Sequence, residues 1–166
     1  MDLAEIGATE KGGVRRLALT DLDRQGRDLV CRWLREASLQ VTVDRIGNIF
    51  ARRDGIDPTA APVVSGSHID TQPSGGKFDG NYGVMAALEV IRTLNDLGLR
   101  TCAPIEVAIW TNEEGSRFAP VMMGSGVFAG AFTLEHALAQ CDVDGASVQH
   151  ALHAIGYAGD ARVGGR

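Results

Sequence analysis

The chain has 166 residues, of which 45% are hydrophobic and 22% are charged. This length permits one domain with a buried core, and the composition is that of an ordinary globular protein. The formal net charge is −5, and the scattered arginines form no basic stripe that would bind a nucleic-acid backbone. Because the sequence has neither a long apolar run nor a signal-peptide pattern, we expect a cytoplasmic protein.

The first third of the sequence predicts a helix followed by a β-hairpin. Thr20 is typical of a helix N-cap, and apolar residues recur at helical spacing until about residue 37. This apolar face comprises Leu22, Leu29, Val30, Trp33 and Leu34. Residues 39–43 and 46–51 then read as two short strands near the edge of a sheet.

The middle of the sequence predicts a βαβ unit. Residues 62–67 and 105–110 are short, apolar and β-branched, as expected of buried strands, and apolar residues between them recur at helical spacing up to Gly98. The fold class is therefore α/β, with a mainly parallel sheet flanked by helices. In such a sheet, catalytic groups collect on the loops outside the carboxyl ends of the strands. Further short helices are predicted at residues 125–129, 134–140 and 148–155.

His68 and Asp70 follow the first strand of this unit, at a spacing of two residues that places both side chains on one face. A carboxylate at Asp70 can hold one nitrogen of the imidazole while the other nitrogen binds a metal ion. The alternative is a His–Asp hydrogen bond without a metal, which is the more common meaning of an isolated H-x-D pair.

Asp79 lies in a glycine-rich loop just before the helix of the βαβ unit. Gly75, Gly76, Gly80 and Gly83 let the backbone turn tightly there and approach a ligand closely. A carboxylate delivered in this way can bridge two cations. Taken alone, the residue is more typical of a helix cap or an Asx turn than of a metal ligand.

Glu113 and Glu114 follow the second strand directly. Neighbouring carboxylates repel one another unless they are solvated or neutralised by a cation or a proton. With a metal ion present, one carboxylate can bind it while the other accepts a proton from the attacking water. The alternative is an exposed polar turn in which Arg117 is the local ion-pair partner.

Together these residues favour a metal-dependent hydrolase, because all of them follow strand ends of one βαβ unit. Imidazole and carboxylate ligands suit Zn²⁺, Mn²⁺ or similar divalent ions. The three remaining histidines lie in predicted helices and are interpreted as surface residues; they are His136, His150 and His153. Cys31, Cys102 and Cys141 show no metal-binding spacing and are interpreted as free, buried thiols.

Four motifs closely resemble the hydantoinase/carbamoylase family of M20-type metallohydrolases. They are GSHIDT at 66–71, GGKFDG at 75–80, TNEEGSRF at 111–118 and MGSGVFAG at 123–130. The resemblance implies an M20/zinc-peptidase-like catalytic domain that holds two divalent ions, which would be Zn²⁺ or else Mn²⁺, Co²⁺ or Ni²⁺.

The same resemblance implies a role for each site residue. His68 would bind one ion, Asp79 would bridge both ions, and Glu114 would bind the other. Glu113 would be the general base, and Asp70 would orient His68. The implied reaction is hydrolysis of a carbamoyl, ureido or amide C–N bond, and the implied substrate is an N-carbamoyl-L-amino acid that yields the L-amino acid, CO₂ and NH₃.

Members of this family continue beyond a segment like GYAGD into further histidine ligands and a lid and dimerisation domain. We therefore expect residues 1–166 to be the N-terminal part of a catalytic domain, inactive alone, whose parent forms a homodimer. Other substrates remain open, namely allantoate or ureidopropionate, or the acylated amino acids and dipeptides of M20 aminoacylases and dipeptidases. An alternative function of a different class is that of a truncated, non-catalytic metal-binding or interaction module.

Overall fold

The structure is a computed structural model that describes residues 1–164. The described part of the chain forms four strands and six helices. In chain order these are α1 (Asp2–Glu5), α2 (Asp21–Glu36), β1 (Gln40–Val43), β2 (Ile49–Arg53), β3 (Val63–His68), α3 (Asn81–Asp96), β4 (Ile105–Trp110), α4 (Met123–Phe128), α5 (Leu134–Leu138) and α6 (Val148–Ala154). No helix within residues 1–164 has the length and apolar character needed to cross a membrane. Gly165 and Arg166 lie outside the described residues.

Helix α2 begins where the sequence predicted it. The Thr20 side chain accepts a hydrogen bond from the backbone N–H of Asp23, which satisfies one of the unpaired amides of the first turn. Leu29, Val30 and Leu34 are buried against the core. The predicted burial of Leu22 was wrong, because that side chain is 38% exposed at the solvent side of the first turn.

The four strands form one sheet in the order β1-β2-β4-β3. Strands β3 and β4 are parallel and are joined through α3, so the βαβ unit is confirmed. The sheet is mixed rather than mainly parallel, since β1 pairs with β2 and β2 pairs with β4 in antiparallel register. The physical reason is the hairpin: consecutive strands joined by a short turn must run in opposite directions.

Helices cover both faces of the sheet, as the α/β class requires. Ile49, Ile109 and Val107 pack with residues of α2 and α3 in one core. Because successive strand residues point to opposite faces, Phe50 and Trp110 lie on the other side, where they contact Phe128 of α4. A second core beneath α4, α5 and α6 fills this side.

The register of the parallel pair determines where the functional loops meet. His68 and Trp110 end their strands opposite one another. The loops that follow, residues 69–80 and 111–122, therefore leave the sheet at the same edge. The N-terminal segment lies against the first of these loops, where Val14 and Gly75 exchange backbone hydrogen bonds of 2.9 and 3.0 Å.

Candidate metal centre

The His68 ring is held in one orientation at the end of β3. Its Nδ1 lies 2.9 Å from the backbone carbonyl oxygen of Asp70. A carbonyl oxygen can only accept, so Nδ1 carries the proton in the neutral ring and Nε2 presents its lone pair. That Nε2 lies 3.3 Å from Oε2 of Glu113 and 4.0 Å from Oδ1 of Asp79. The free imidazole lone pair thus faces carboxylates.

Asp70 contacts His68 through its backbone rather than through its side chain. The carboxylate Oδ1 is 3.7 Å from Nδ1, which is beyond hydrogen-bond distance. The backbone turns after β3, so the carbonyl group faces the ring and the carboxylate points toward the neighbouring loop. There its two oxygens accept the backbone N–H groups of Glu113 and Glu114, each at 3.3 Å. Asp70 therefore joins the two functional loops.

The Asp70 carboxylate sits in a nearly dry position, with only 2% of the residue exposed. Burial raises its pKa to about 6, and the negative charge of Asp23 contributes in the same direction. The charge of His68, the Glu113 amide and the Arg27 guanidinium partly offset this effect. The Asp70 carboxylate is ionised at neutral pH and can then accept hydrogen bonds from both backbone N–H groups.

Glu113 is fixed through its backbone at both ends. Its N–H is bound by Asp70, and its carbonyl oxygen accepts the N–H of Met122 at 2.7 Å. The side chain is 29% exposed, and its carboxylate points toward Nε2 of His68. A fixed backbone with a solvent-accessible carboxylate is what a general base needs in order to reach a water molecule.

Asp79 and Glu114 complete a cluster that could hold a metal ion. One ligand atom from each of His68, Asp79 and Glu114 lies within 4.8 Å of the others. The Asp79 side chain is 65% exposed and can rotate, whereas Glu114 accepts a hydrogen bond of 3.1 Å from Nε2 of Gln72. One nitrogen and several carboxylate oxygens form a donor set that suits Zn²⁺ or Mn²⁺.

The alternatives considered for single motifs fit this arrangement less well. Arg117 does not pair with the glutamates; its Nε lies 3.0 Å from Oδ2 of Asp142, and its Nη1 donates to the carbonyl oxygens of Ala18 and Leu19. The three other histidines are exposed, as predicted, and do not join the ligand cluster within residues 1–164. They are His136 on α5 and His150 and His153 on α6.

Two residues near the cluster had no assigned role from the sequence. Gln72 donates to Glu114, as described above, and Asn81 donates from Nδ2 to the carbonyl oxygen of Lys77 at 3.1 Å. Asn81 also accepts a hydrogen bond from Arg16, a buried residue that the sequence did not single out. The available signal for Gln72 and Asn81 was their position after β3, Gln72 in the loop and Asn81 at the first residue of α3.

Gly80 is required by the close approach of the His68 ring. Its φ is +65°, and a Cβ atom placed there would lie 2.5 Å from Cε1 and 2.6 Å from Nδ1 of His68. Gly98 has a similar φ of +63° but has no atom within 4 Å of its Cβ position. Comparing the two glycines therefore separates the cost of backbone strain from the effect of moving the His68 ring, a candidate metal ligand.

We expect Gly80→Ala to lower both stability and metal affinity. The positive φ alone should cost about 1–2 kcal/mol in the free energy of unfolding, and Gly98→Ala should show only this loss. Gly80→Ala should lose more and should also shift His68 away from the cluster. Urea unfolding and Co²⁺ titration measure the two effects; equal Co²⁺ affinity in both variants would contradict the assigned position of the ring.

Comparison with known proteins places the chain in a family. A family model described as peptidase family M20/M25/M40 matches residues 64–159. An N-carbamoyl-L-amino-acid amidohydrolase of Rhizobium meliloti is 54% identical over 166 residues, which cover all of this chain and 40% of the relative. An enzyme of the same name from Geobacillus stearothermophilus is 43% identical, covering 94% of this chain and 38% of the relative.

A solved structure shows the same architecture. The crystal structure of a hydantoinase/carbamoylase family amidase from Burkholderia multivorans is 64% identical and superimposes with a TM-score of 0.99, covering 100% of this chain and 40% of that one. The chain thus spans about 40% of the length of the relatives that it matches. The family match extends over more than half of the sequence, and the chain, which is similar to hydantoinase/carbamoylase amidases, belongs to peptidase family M20/M25/M40.

Proposed function

We propose that this chain carries part of the active site of a metal-dependent amidohydrolase that cleaves a carbamoyl C–N bond. The observation that supports it most is the surroundings of His68. The lone pair of its Nε2 faces the carboxylates of Glu113 and Asp79, and Glu114 lies in the same cluster. The imidazole lone pair and the carboxylates repel one another unless a second proton on the ring or a metal ion lies between them. Three converging ligands favour the metal ion.

In this proposal, His68 binds one divalent ion, Asp79 bridges two ions and Glu114 binds the second. Two ions fit the exposed, rotatable carboxylate of Asp79, which can present an oxygen to each of them. Gln72 holds Glu114 through its hydrogen bond. Zn²⁺ is the first candidate by ligand chemistry, and Mn²⁺, Co²⁺ and Ni²⁺ are alternatives.

Glu113 is the proposed general base. When bound, the ions polarise the substrate carbonyl group and lower the pKa of the attacking water. The Glu113 carboxylate takes a proton from that water and then delivers it to the leaving nitrogen. Asp70 holds the amide of Glu113, which keeps the carboxylate directed toward the site. The overall reaction consumes one water and releases the amino acid, CO₂ and NH₃.

The proposed substrate is an N-carbamoyl-L-amino acid, the substrate named for two relatives with 54% and 43% identity. Activity belongs to the whole protein in this proposal, because the chain spans about 40% of these relatives. We further propose, from the family resemblance, that the remaining ligands and a dimerisation domain lie outside the 166 residues.

Ammonia release tests the proposal. The whole protein, loaded with Zn²⁺ or Mn²⁺, should release ammonia from N-carbamoyl-L-amino acids faster than from allantoate or ureidopropionate. It should also release the free amino acid from N-carbamoyl-L-amino acids faster than from N-acyl amino acids or dipeptides, which yield no ammonia. A chelator should abolish the release, and added metal should restore it. Turnover that is unaffected by the chelator, or a preference for an N-acyl amino acid or a dipeptide, would contradict the proposed metal requirement or the proposed substrate class, respectively.

A further inference from the structure

The N-terminal segment supplies none of the proposed ligands, yet it lies directly against the loop that follows His68 and carries Asp79. The N–H of Arg16 donates to Oγ1 of Thr71 at 2.7 Å, and the N–H of Thr71 donates to the carbonyl oxygen of Arg16 at 2.8 Å. Together with the Val14–Gly75 pair, these bonds align residues 14–16 with residues 71–75. The family model begins only at residue 64 and does not include this segment.

The Arg16 side chain reaches both ends of the ligand loop. Its Nε donates to the carbonyl oxygen of Ile69 at 2.9 Å, and its Nη2 donates to Oδ1 of Asn81 at 3.1 Å. Ile69 directly follows His68, and Asn81 lies two residues after Asp79. One planar guanidinium group thus spans from the backbone just after His68 to the side chain of Asn81, just beyond Asp79.

The other side of the guanidinium is anchored in the N-terminal helix. Nη1 donates to the carbonyl oxygens of Leu3 and Ile6, both at 2.8 Å. Helix α2 passes close to the Arg16 side chain, since a Cβ atom on Gly26 would lie 2.9 Å from Cδ of Arg16. Arg16 itself is 0% exposed, so packing leaves this side chain little freedom to adopt another conformation.

Keeping an arginine in this position has an energetic cost. Burial lowers the pKa of Arg16, and the charges of Asp23 and Asp70 only partly offset that effect. Its guanidinium group donates to three backbone carbonyl groups and one side-chain amide oxygen rather than to a carboxylate. A fixed fork of donors can span these four acceptors, which the single ammonium group of a lysine cannot do in the same geometry.

We propose that Arg16 is a positioning residue for the metal centre. It holds the two ends of the loop at residues 69–80 at the separation that lets His68 and Asp79 bind together. This inference rests on the proposed metal-binding function. It predicts that loss of Arg16 weakens metal binding by the chain that remains folded, in addition to any loss of stability.

Arg53 provides a matched control. Its Nε donates to Oδ1 of Asn95 at 2.8 Å, and its Nη2 donates to the carbonyl oxygen of Leu99 at 2.6 Å. It therefore joins an asparagine amide and a backbone carbonyl, as Arg16 does, but at the opposite end of α3 from the metal ligands. Arg53→Met should reduce stability without changing the ligand geometry.

The experiment compares Arg16→Met, Arg16→Lys and Arg53→Met with the wild-type sequence, each in the whole protein. Co²⁺ is titrated at a temperature where each variant is folded by circular dichroism, and its visible spectrum reports ligand geometry. Outer partners of metal ligands typically contribute 10–100-fold to affinity. We expect a loss of about this size, with an altered Co²⁺ spectrum, for both Arg16 variants. Arg53→Met should retain the wild-type affinity and spectrum.

Each other outcome has a definite meaning. Wild-type affinity and spectrum in folded Arg16→Met would overturn the inference while leaving the metal centre intact. Absence of Co²⁺ binding by the wild-type chain and by Arg53→Met would instead overturn the proposed metal site, and this inference with it. If Arg16→Met does not fold, Asn81→Leu decides, because it removes one end of the span and leaves the three carbonyl acceptors of Arg16 in place.

Discussion

Glu113→Gln is expected to lower the turnover of N-carbamoyl-L-amino acids by about 10²–10⁴-fold, the usual contribution of a general base. Glutamine has nearly the same shape but cannot accept a proton from water at neutral pH. The backbone contacts of Glu113 with Asp70 and Met122 do not involve the side chain, so the loop should keep its conformation. Steady-state ammonia release by the whole protein measures the effect.

The matched control for this variant is Glu135→Gln. Glu135 is an exposed glutamate on α5, in a helix that contributes no proposed ligand. It should keep wild-type turnover, and both variants should bind the same amount of metal per chain. If Glu113→Gln retained full activity, another group would have to activate the water and the assigned role would be wrong.

Asp79→Ala is expected to reduce divalent-metal affinity by about 100-fold or more. Residues that only hold a metal ligand contribute about 10–100-fold, and a ligand itself should contribute at least the upper value. The proposed bridge would be lost from both ions at once. Because the side chain is 65% exposed, the metal-free protein should unfold at nearly the same temperature as the wild type. Only the stabilisation that added metal gives to the folded state should disappear.

Metal content per chain and thermal melts with and without Zn²⁺ measure this prediction. Asp96→Ala is a suitable control, because Asp96 is an exposed carboxylate at the last residue of α3, the opposite end of the helix from Asp79. The control should bind metal as the wild type does. Unchanged metal content in Asp79→Ala would show that this carboxylate is not a ligand.

Local sequence patterns predicted the elements that carry the site. The strand at residues 105–110 has the predicted bounds, because it begins directly after Pro104 and ends where the polar residues 111–114 begin. The helix after Asp79 and the cap at Thr20 also follow from local spacing and side-chain chemistry. The direction in which β2 joins β4 could not be predicted, since strand pairing across 50 residues is decided by how the hairpin packs on the βαβ unit.

Some features of the candidate site could likewise be predicted from the sequence, and others could not. Its candidate ligands could be named from the sequence, because His68 ends β3, Glu114 lies four residues after β4 and Asp79 lies two residues before α3. The contacts that hold them could not, since the Asp70 carboxylate binds amides 43 and 44 residues away. Arg16 could not be recognised either: a buried arginine and a solvated one look the same in a sequence, and only its distant acceptors at Ile69 and Asn81 reveal the difference.

The placement of Arg16 has a consequence for attempts to transplant this half-site into another scaffold. A graft limited to residues 68–114 would include His68, Asp79 and Glu114 but would omit the segment that spaces them. Such a graft would be a poor binder even with correct strands. The smallest portable unit would have to begin at the first helix, at residues Asp2–Glu5, whose neighbouring carbonyl groups anchor the guanidinium.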